Sequence, residues 1–530
     1  MMKPAFPIRP LGLAMALALA GCAMEPVYER PAMPVPLLYP GQAAPQAAAA
    51  SAAPDTPAIP AVPASGDVAE AIPVADAPAA DIAVAQGLTL SGQQANIEPA
   101  PPRMGWAELF NDARLRALID IALENNRDMQ IASERVQEAQ AQYGIVESDR
   151  FPTVGIGANA QATRTGPAMR GPDSSSVSRV FMAGVGLTSF ELDFFGRLKS
   201  LSDAALQGYL ATEQAERTVH INLVAQVAEA YFRQRTATEL AVLMEKTLAS
   251  RQATLDLVQA RYDSGVASAL DRTQARAQLE TVKADLEGIR RMQAQADNAL
   301  QLLLGTPPPD DLPPAEVFGK QQLASSVPVG LPSELLERRP DILAAEHRLK
   351  AANANIGAAR AAFFPNISLT GLLGFASPQL GGLFGGGTRY WQYSPQIQVP
   401  LFSSGLKGNL ALAEARRNIA VLEYEKAIQV AFREVADALA GEASYHGELD
   451  ALRALQDTSM EAVELARLRY ETGVDSFLQV QTAEVNLYGT QTQLIQTGME
   501  SLLNRIALFK ALGGGWLRET EARLPVAKSG

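Results

Sequence analysis

The chain has 530 residues, 47% of them hydrophobic, with a formal net charge of −12, three histidines and one cysteine. A single cysteine excludes an intrachain disulfide, and acidic residues spread along the chain without basic clusters interleaved with aromatics argue against nucleic-acid binding. The length points to several domains unless an internal duplication absorbs it.

At the start, Lys3 and Arg9 lead into an apolar run over 11–20. That run is too short for a spanning helix, which needs about 20 residues, and 1–21 reads as a secretory signal peptide. Cys22 directly follows Leu19-Ala20-Gly21, the pattern of a bacterial lipobox, and is the expected lipidation site. The alternative is an ordinary signal-peptidase site beside a free exported thiol. Ala23, which is not acidic, favours forwarding to the outer membrane. Residues 22–36 then form a lipid-anchored N-terminal segment. Residues 37–102 are dominated by Ala and Pro and cannot bury enough apolar surface to fold, so a disordered tether is expected there. No later stretch is long and apolar enough for a transmembrane helix, so any crossing of a membrane must use a closed barrel.

Folded texture begins at Trp106. The pattern predicts a helix over 128–148, strands over 153–164 and 180–192, and long helices on either side of Gly265. After a Pro-rich stretch the same order returns, with a helix over 333–362, strands over 366–375 and 390–401, and helices flanking Gly473. The two passages share landmarks. Ala260-Arg261-Tyr262-Asp263-Ser264-Gly265-Val266 returns 208 residues later as Leu468-Arg469-Tyr470-Glu471-Thr472-Gly473-Val474, and Leu304-Gly305 returns at the same interval as Leu512-Gly513. Phe151-Pro152 returns as Phe364-Pro365 and Gly196 as Gly405. The chain therefore divides into a first repeat over 103–305, a linker over 306–332, a second repeat over 333–515 and a tail over 516–530.

Gly265 and Gly473 suit helix ends because glycine takes the left-handed conformation without steric cost. The runs leading to them from Gly196 and Gly405 are 69 and 68 residues long. Helices of that length reach about 100 Å, the scale of a rod or tube. Ile221, Val224, Ala228 and Tyr231 mark either a helical seam along it or an ordinary bundle core.

In the extended segments, Gly, Thr, Ala and Ser alternate with larger apolar or aromatic residues, the latter read at Val180, Met182 and Phe190 and at Trp391 and Tyr393. One such hairpin is as easily a surface hairpin as a membrane one. Two hairpins give four strands, fewer than the eight of the smallest bacterial barrels, and open edges in a bilayer cost several kcal/mol per unpaired group. Other copies of the chain must complete the sheet, and three would supply about twelve strands. The fold class is α+β.

A set of motifs resembles the TolC-like outer-membrane factor family, in particular its lipoprotein branch serving RND-type efflux pumps. They are Cys22 with Pro26, Tyr28, Arg30 and Pro31; the run from Phe190 to Arg197; Leu331-Pro332 with Arg338-Arg339-Pro340-Asp341-Ile342; the run from Ala466 to Val474; and Lys510-Ala511-Leu512-Gly513-Gly514-Gly515-Trp516. The resemblance implies a homotrimer with a shared 12-stranded barrel in the outer membrane, continuing into a helical tunnel across the periplasm. It implies adaptor-docking tips at Arg261, Tyr262, Gly265, Val266, Arg469, Tyr470 and Gly473, met by a periplasmic adaptor linked to an inner-membrane RND-type transporter. Val474 and Leu478 match the family's gate. Thr482 stands where well-known members carry an acidic ring, with Asp475 and Asp271 as alternative carboxylates. Gating by an apolar ring is the expectation, and plain helix packing is the alternative. On this reading the tether lets the lipid anchor sit away from the barrel or reach through other envelope material.

Arg338, Arg339 and Asp341 read better as a helix start, with Asp341 in the first turn, than as a functional cluster. No metal, cofactor or enzymatic chemistry is expected, since neither metal-ligand spacing nor a phosphate loop nor a nucleophile elbow stands out. Two other readings stay open. One is a duct for type I protein secretion or heavy-metal export, and the other a non-transporting coiled-coil envelope protein.

Overall fold

The computed structural model describes residues 24–36, 39, 104–166, 177–316, 323–324, 327 and 334–520. The lipobox at Cys22 and residues 40–103 lie outside them. Two short helices, α1 (Trp106–Leu109) and α2 (Ala113–Asn125), precede α3 (Arg127–Ser148), strands β1 (Thr153–Arg164) and β2 (Val177–Glu191), and the helices α4 (Arg197–Asp263) and α5 (Ala269–Leu304). The second repeat holds α6 (Leu335–Arg338), α7 (Pro340–Ala361), β3 (Asn366–Ser377), β4 (Arg389–Gln398), α8 (Ser404–Glu471) and α9 (Phe477–Ala511). Among the described residues no helix is long and apolar enough to cross a membrane.

The long helices α4 and α8 have 67 and 68 residues, which corresponds to about 100 Å each. Gly196 precedes α4 in the left-handed conformation (φ 72°), whereas Gly405 lies inside α8, so these two glycines share a sequence interval without sharing a structural role.

Ile221, Val224, Ala228 and Tyr231 are all buried, and the last three share a local core with Leu115, Leu118 and Ile119 of α2. Helix α2 was not anticipated. Its signals are in the sequence, with Asp112 accepting from the backbone N–H of Arg114 (2.8 Å) and Leu115 (3.4 Å) and apolar residues recurring at three and four positions. The linker joins the same core, where Ala324 N–H donates to the Leu109 carbonyl at 2.9 Å.

Each repeat returns to this level by the same route. Asn126, between α2 and α3, donates its amide to the Leu303 carbonyl near the end of α5 at 2.9 Å. Arg339, between α6 and α7, donates to the Ala511 carbonyl at the end of α9 at 2.9 Å. Arg339 also pairs with Asp341 (2.6 Å) and Glu434 (2.8 Å). The Arg339–Asp341 pair thus joins three helices, which goes beyond the helix-start role expected of it.

The four strands form one antiparallel sheet in the order β1-β2-β3-β4. The second hairpin lies beside the first, leaving β1 and β4 as edges.

Candidate functional site: a two-faced sheet and a paired helical turn

Cross-strand partners in an antiparallel sheet share a face, so the register sorts every strand residue. One face carries Val154, Ile156, Ala158, Val185, Leu187, Ile367, Leu369, Leu373, Trp391, Tyr393 and Ile397. The other carries Thr153, Asn159, Gln161, Ser178, Thr188, Ser368, Thr370, Gln392, Ser394, Gln396 and Gln398. Trp391 and Tyr393 fall on the apolar face as read. Val180 and Met182 do not, since they sit opposite Gln161 and Asn159 on the polar face. A bulge between Leu187 and Phe190 reverses the parity and returns Phe190 to the apolar face opposite Leu369. Sequence alternation cannot reveal where that extra residue falls. The one charge on the polar face, Glu191, lies at the helix end of β2 and is paired with Arg197 at 2.6 Å. An apolar face backed by a neutral, hydrogen-bonding face is what a barrel wall between lipid and water requires.

At the far end of the long helices the two turns have the same backbone. Gly265 and Gly473 have φ of 77° and 76°. Val266 N–H donates to the Arg261 carbonyl and Val474 N–H to the Arg469 carbonyl, both at 2.8 Å. This is the left-handed ending only glycine adopts cheaply. Tyr470 is buried with Val258, Ala275, Phe477 and Val480, so it supports the turn from inside. Arg261 lies over the Tyr470 ring at 4.6 Å, and Arg272 over the Tyr262 ring at 4.2 Å.

Val474 and Leu478 are both exposed, as are Val266 and Leu270, which occupy the equivalent positions of the first turn. Leu270 was missed by sequence reasoning, although the interval of 208 residues points to it. Thr482 spends its hydroxyl on the Leu478 carbonyl at 2.8 Å. Asp475 pairs with Arg469 at 2.6 Å, and that partner holds its carboxyl below the usual range. Asp271 forms a capping box with Ser268. Both alternative carboxylates therefore already have partners.

Two turns deeper, Glu484 of α9 is buried between Arg467 of α8, at 2.6 Å, and Arg251 of α4. Burial, and after it the nearby Arg467, pull the Arg251 pKa down. This triad fastens the second repeat to the first.

The profile of the family described as outer membrane efflux protein matches residues 118–306 and 331–514, which together make up most of the chain. The chain belongs to the outer membrane efflux protein family. Among curated relatives of this outer membrane efflux protein, the toluene efflux pump outer membrane protein TtgI of Pseudomonas putida is 44% identical over 426 residues, 80% of this chain and 90% of TtgI. The cation efflux system protein CusC of Escherichia coli is 38% identical over 512 residues, covering 96% of this chain and 99% of CusC. The open-state crystal structure of the Neisseria gonorrhoeae channel MtrE superposes with a TM-score of 0.76 at 35% identity, covering 94% of this chain and all of that one.

The architecture is thus that of a trimeric outer-membrane efflux channel. Four strands per chain contribute to a shared barrel, the edges β1 and β4 being closed by neighbouring copies. The chain resides in the outer membrane with its helices in the periplasm. The hairpin ends of the sheet therefore face outward, and the turns at Gly265 and Gly473 face the cell interior.

The N-terminal segment forms a strap on α7. Arg30 grips Glu346 with two nitrogens at 2.9–3.1 Å, and the Tyr28 hydroxyl donates to the same carboxylate at 3.1 Å. Asn353 donates to the Pro26 carbonyl at 2.7 Å. A Cβ on Gly357 would come within 2.9 Å of Glu25 Cα, so the strap lies flush on the helix there. Tyr39 is buried and stacks on Phe432 at 5.3 Å. The packed chain thus runs past the expected tether start at residue 37 as far as Tyr39. With an anchor at Cys22 as expected, the packed residues 24–36 intervene between it and residues 40–101.

Proposed function

We propose that this channel is the exit duct of a tripartite pump for drugs and other toxic organic solutes. A periplasmic adaptor docks on the tips at Arg261, Gly265, Val266, Arg469 and Gly473, and an inner-membrane RND-type transporter supplies the energy. The observation that carries the cargo reading is the polar sheet face. Apart from the ion-paired Glu191 its strand positions are neutral, so the lumen offers hydrogen bonds without selecting for charge. The relative named for toluene efflux agrees with such a cargo, and the one named for cation efflux supplies the second reading. The test is accumulation of fluorescent efflux dyes in cells lacking other ducts, with adaptor and pump present and this chain present or deleted. Higher accumulation on deletion supports the reading. Unchanged dye levels with raised sensitivity to metal ions would replace it with cation export.

The exposed pair Val474 and Leu478, with Val266 and Leu270, forms the apolar constriction of the closed tip, because a ring of apolar side chains resists wetting. Leu478→Ser raises the closed-state conductance of single channels. An unaltered leak would assign Leu478 to packing.

Cys22 carries the lipid. It lies two residues before Met24, at most about 7 Å of chain, and Glu25 already abuts Gly357 close to the helix end of the barrel. Cys22→Ala abolishes acyl incorporation, and labelling that persisted would remove this assignment.

A further inference from the structure

The apolar face of the sheet carries three charges, all arginine and each at or near the outer end of its own strand. Arg164 is the last residue of β1, Arg179 lies three residues into β2, and Arg389 opens β4. The register sets Arg179 opposite Ala162 and Arg389 opposite Phe375, both on the apolar face. Arg164 is two residues beyond Ala162, so Arg164 and Arg179 are diagonal neighbours, about 7–8 Å apart at the Cα atoms. All three are exposed, and among the described residues none has an acidic partner. Next on the same face, Phe181 follows Arg179 along β2, and Arg389 is followed along β4 by Trp391 and Tyr393. The last two are 69% and 67% exposed and stack with ring centroids 5.7 Å apart.

An arginine on the lipid face costs about 2–4 kcal/mol at the bilayer midplane and close to nothing at the interface. These three stand at strand ends, and on β2 and β4 an aromatic residue of the kind that sits at the interface follows next on the same face. They face away from the lumen, so they cannot steer cargo. Guanidinium groups with no carboxylate beside them among the described residues present paired N–H donors suited to phosphate oxygens. We propose that Arg164, Arg179 and Arg389 form a site for phosphorylated lipid headgroups of the outer leaflet, with the acyl chains lying on the apolar face below. The inference rests on the outer-membrane position of the barrel and not on the identity of the cargo, so the efflux assay and this one fail independently.

The experiment is native mass spectrometry of the purified full-length trimer with added lipid A, carrying two phosphates, and with the same lipid after phosphatase treatment. Wild type is expected to retain the phosphorylated form about a hundredfold better, because each of the three arginines near an anionic surface contributes about 1 kcal/mol. The triple variant Arg164→Gln, Arg179→Gln, Arg389→Gln is expected to lose that preference while remaining a trimer. Should it fail to assemble, Arg179→Gln alone is expected to lose about fivefold, and the triple Lys variant, which keeps the charge, to recover most of the binding. Equal retention of the two lipids by wild type would mean that only acyl contacts hold them, and an undiminished preference in the Gln variants would place the headgroup elsewhere. Either result overturns the site.

Discussion

At the first helical turn Arg261 leaves its own repeat, lying over the Tyr470 ring and donating to the Glu471 carbonyl at 3.2 Å. At the second turn the equivalent Arg469 stays at home, closing on Asp475. The cause lies six residues on, where the first turn has Ala267 and the second Asp475. Without a local carboxylate Arg261 reaches across, and with one Arg469 does not. Duplication has kept the backbone bonds of the two turns alike, while the ties between repeats come from the side chains that diverged.

Glu484 shows the same divergence and its loss has the largest expected effect. Its counterpart in the first repeat, 208 positions earlier, is the exposed Arg276. Glu484→Gln leaves two guanidinium groups without their shared carboxylate in a buried site, which costs about 3–5 kcal/mol. Arg276→Gln changes stability by less than about 0.5 kcal/mol. Thermal unfolding followed by helical circular dichroism measures both, and equal shifts would show that the triad does not join the repeats.

The joints at Asn126 and Arg339 rank next. Each holds an equivalent carbonyl, but Arg339 also satisfies Asp341 and Glu434 and is 7% exposed. Arg339→Ala is expected to cost about 3 kcal/mol, because two carboxylates and a carbonyl lose their donor. Asn126→Ala, losing a cap and one bond, should cost about 1–2 kcal/mol. A larger loss at Asn126 in the same unfolding measurement would reverse the ranking and make the first joint the stronger one.

The duplication, the strands and both turns were legible because their signals are local, in the form of repeated motifs, alternation and glycine at a forced φ. The polar and apolar faces of β2 were not, because the bulge after Leu187 changes parity at a point set by pairing with β3. The strap was hidden for a related reason. Nothing near Arg30 in sequence announces Glu346, more than 300 residues away. At the tips the exposed Val474 and Leu478 were readable, whereas the Arg251–Glu484–Arg467 triad needed three helices to be placed first.

Glu346 separates the repeats by pH. Its counterpart on α3 is Ser133, so only α7 can clamp the strap. Burial pushes the Glu346 carboxyl up, but Lys350 and Arg30 outweigh it and hold the pKa below the ordinary value of 4.5. A carboxylate depressed in the folded state contributes its full stabilisation above the unfolded value and loses it as pH falls through the folded one. The strap is therefore expected to stay protected from protease at neutral pH and to loosen at a pH below 4.5, while Glu346→Gln loosens it already at pH 7. Cleavage near Tyr28 that is independent of pH and unchanged in Glu346→Gln would assign the strap's hold to Tyr39 instead.

The smallest expected difference lies at the helix starts just past the turns. Ser268 accepts from the Asp271 N–H at 3.1 Å and Asp271 accepts from the Ser268 N–H at 3.1 Å, a reciprocal capping box. The equivalent Ser476 makes no side-chain cap, having Gln479 where the first repeat has Asp271. Ser268→Ala should cost about 1 kcal/mol and Ser476→Ala only a few tenths. Hydrogen exchange at the first turn of α5 and α9 resolves differences of that size, because local opening reports on each helix start separately. If the two substitutions raise exchange equally, the second turn must gain its cap when the trimer assembles. The two turns would then be capped alike in the working channel, and the difference between them would rest on side chains such as Arg261 and Arg469.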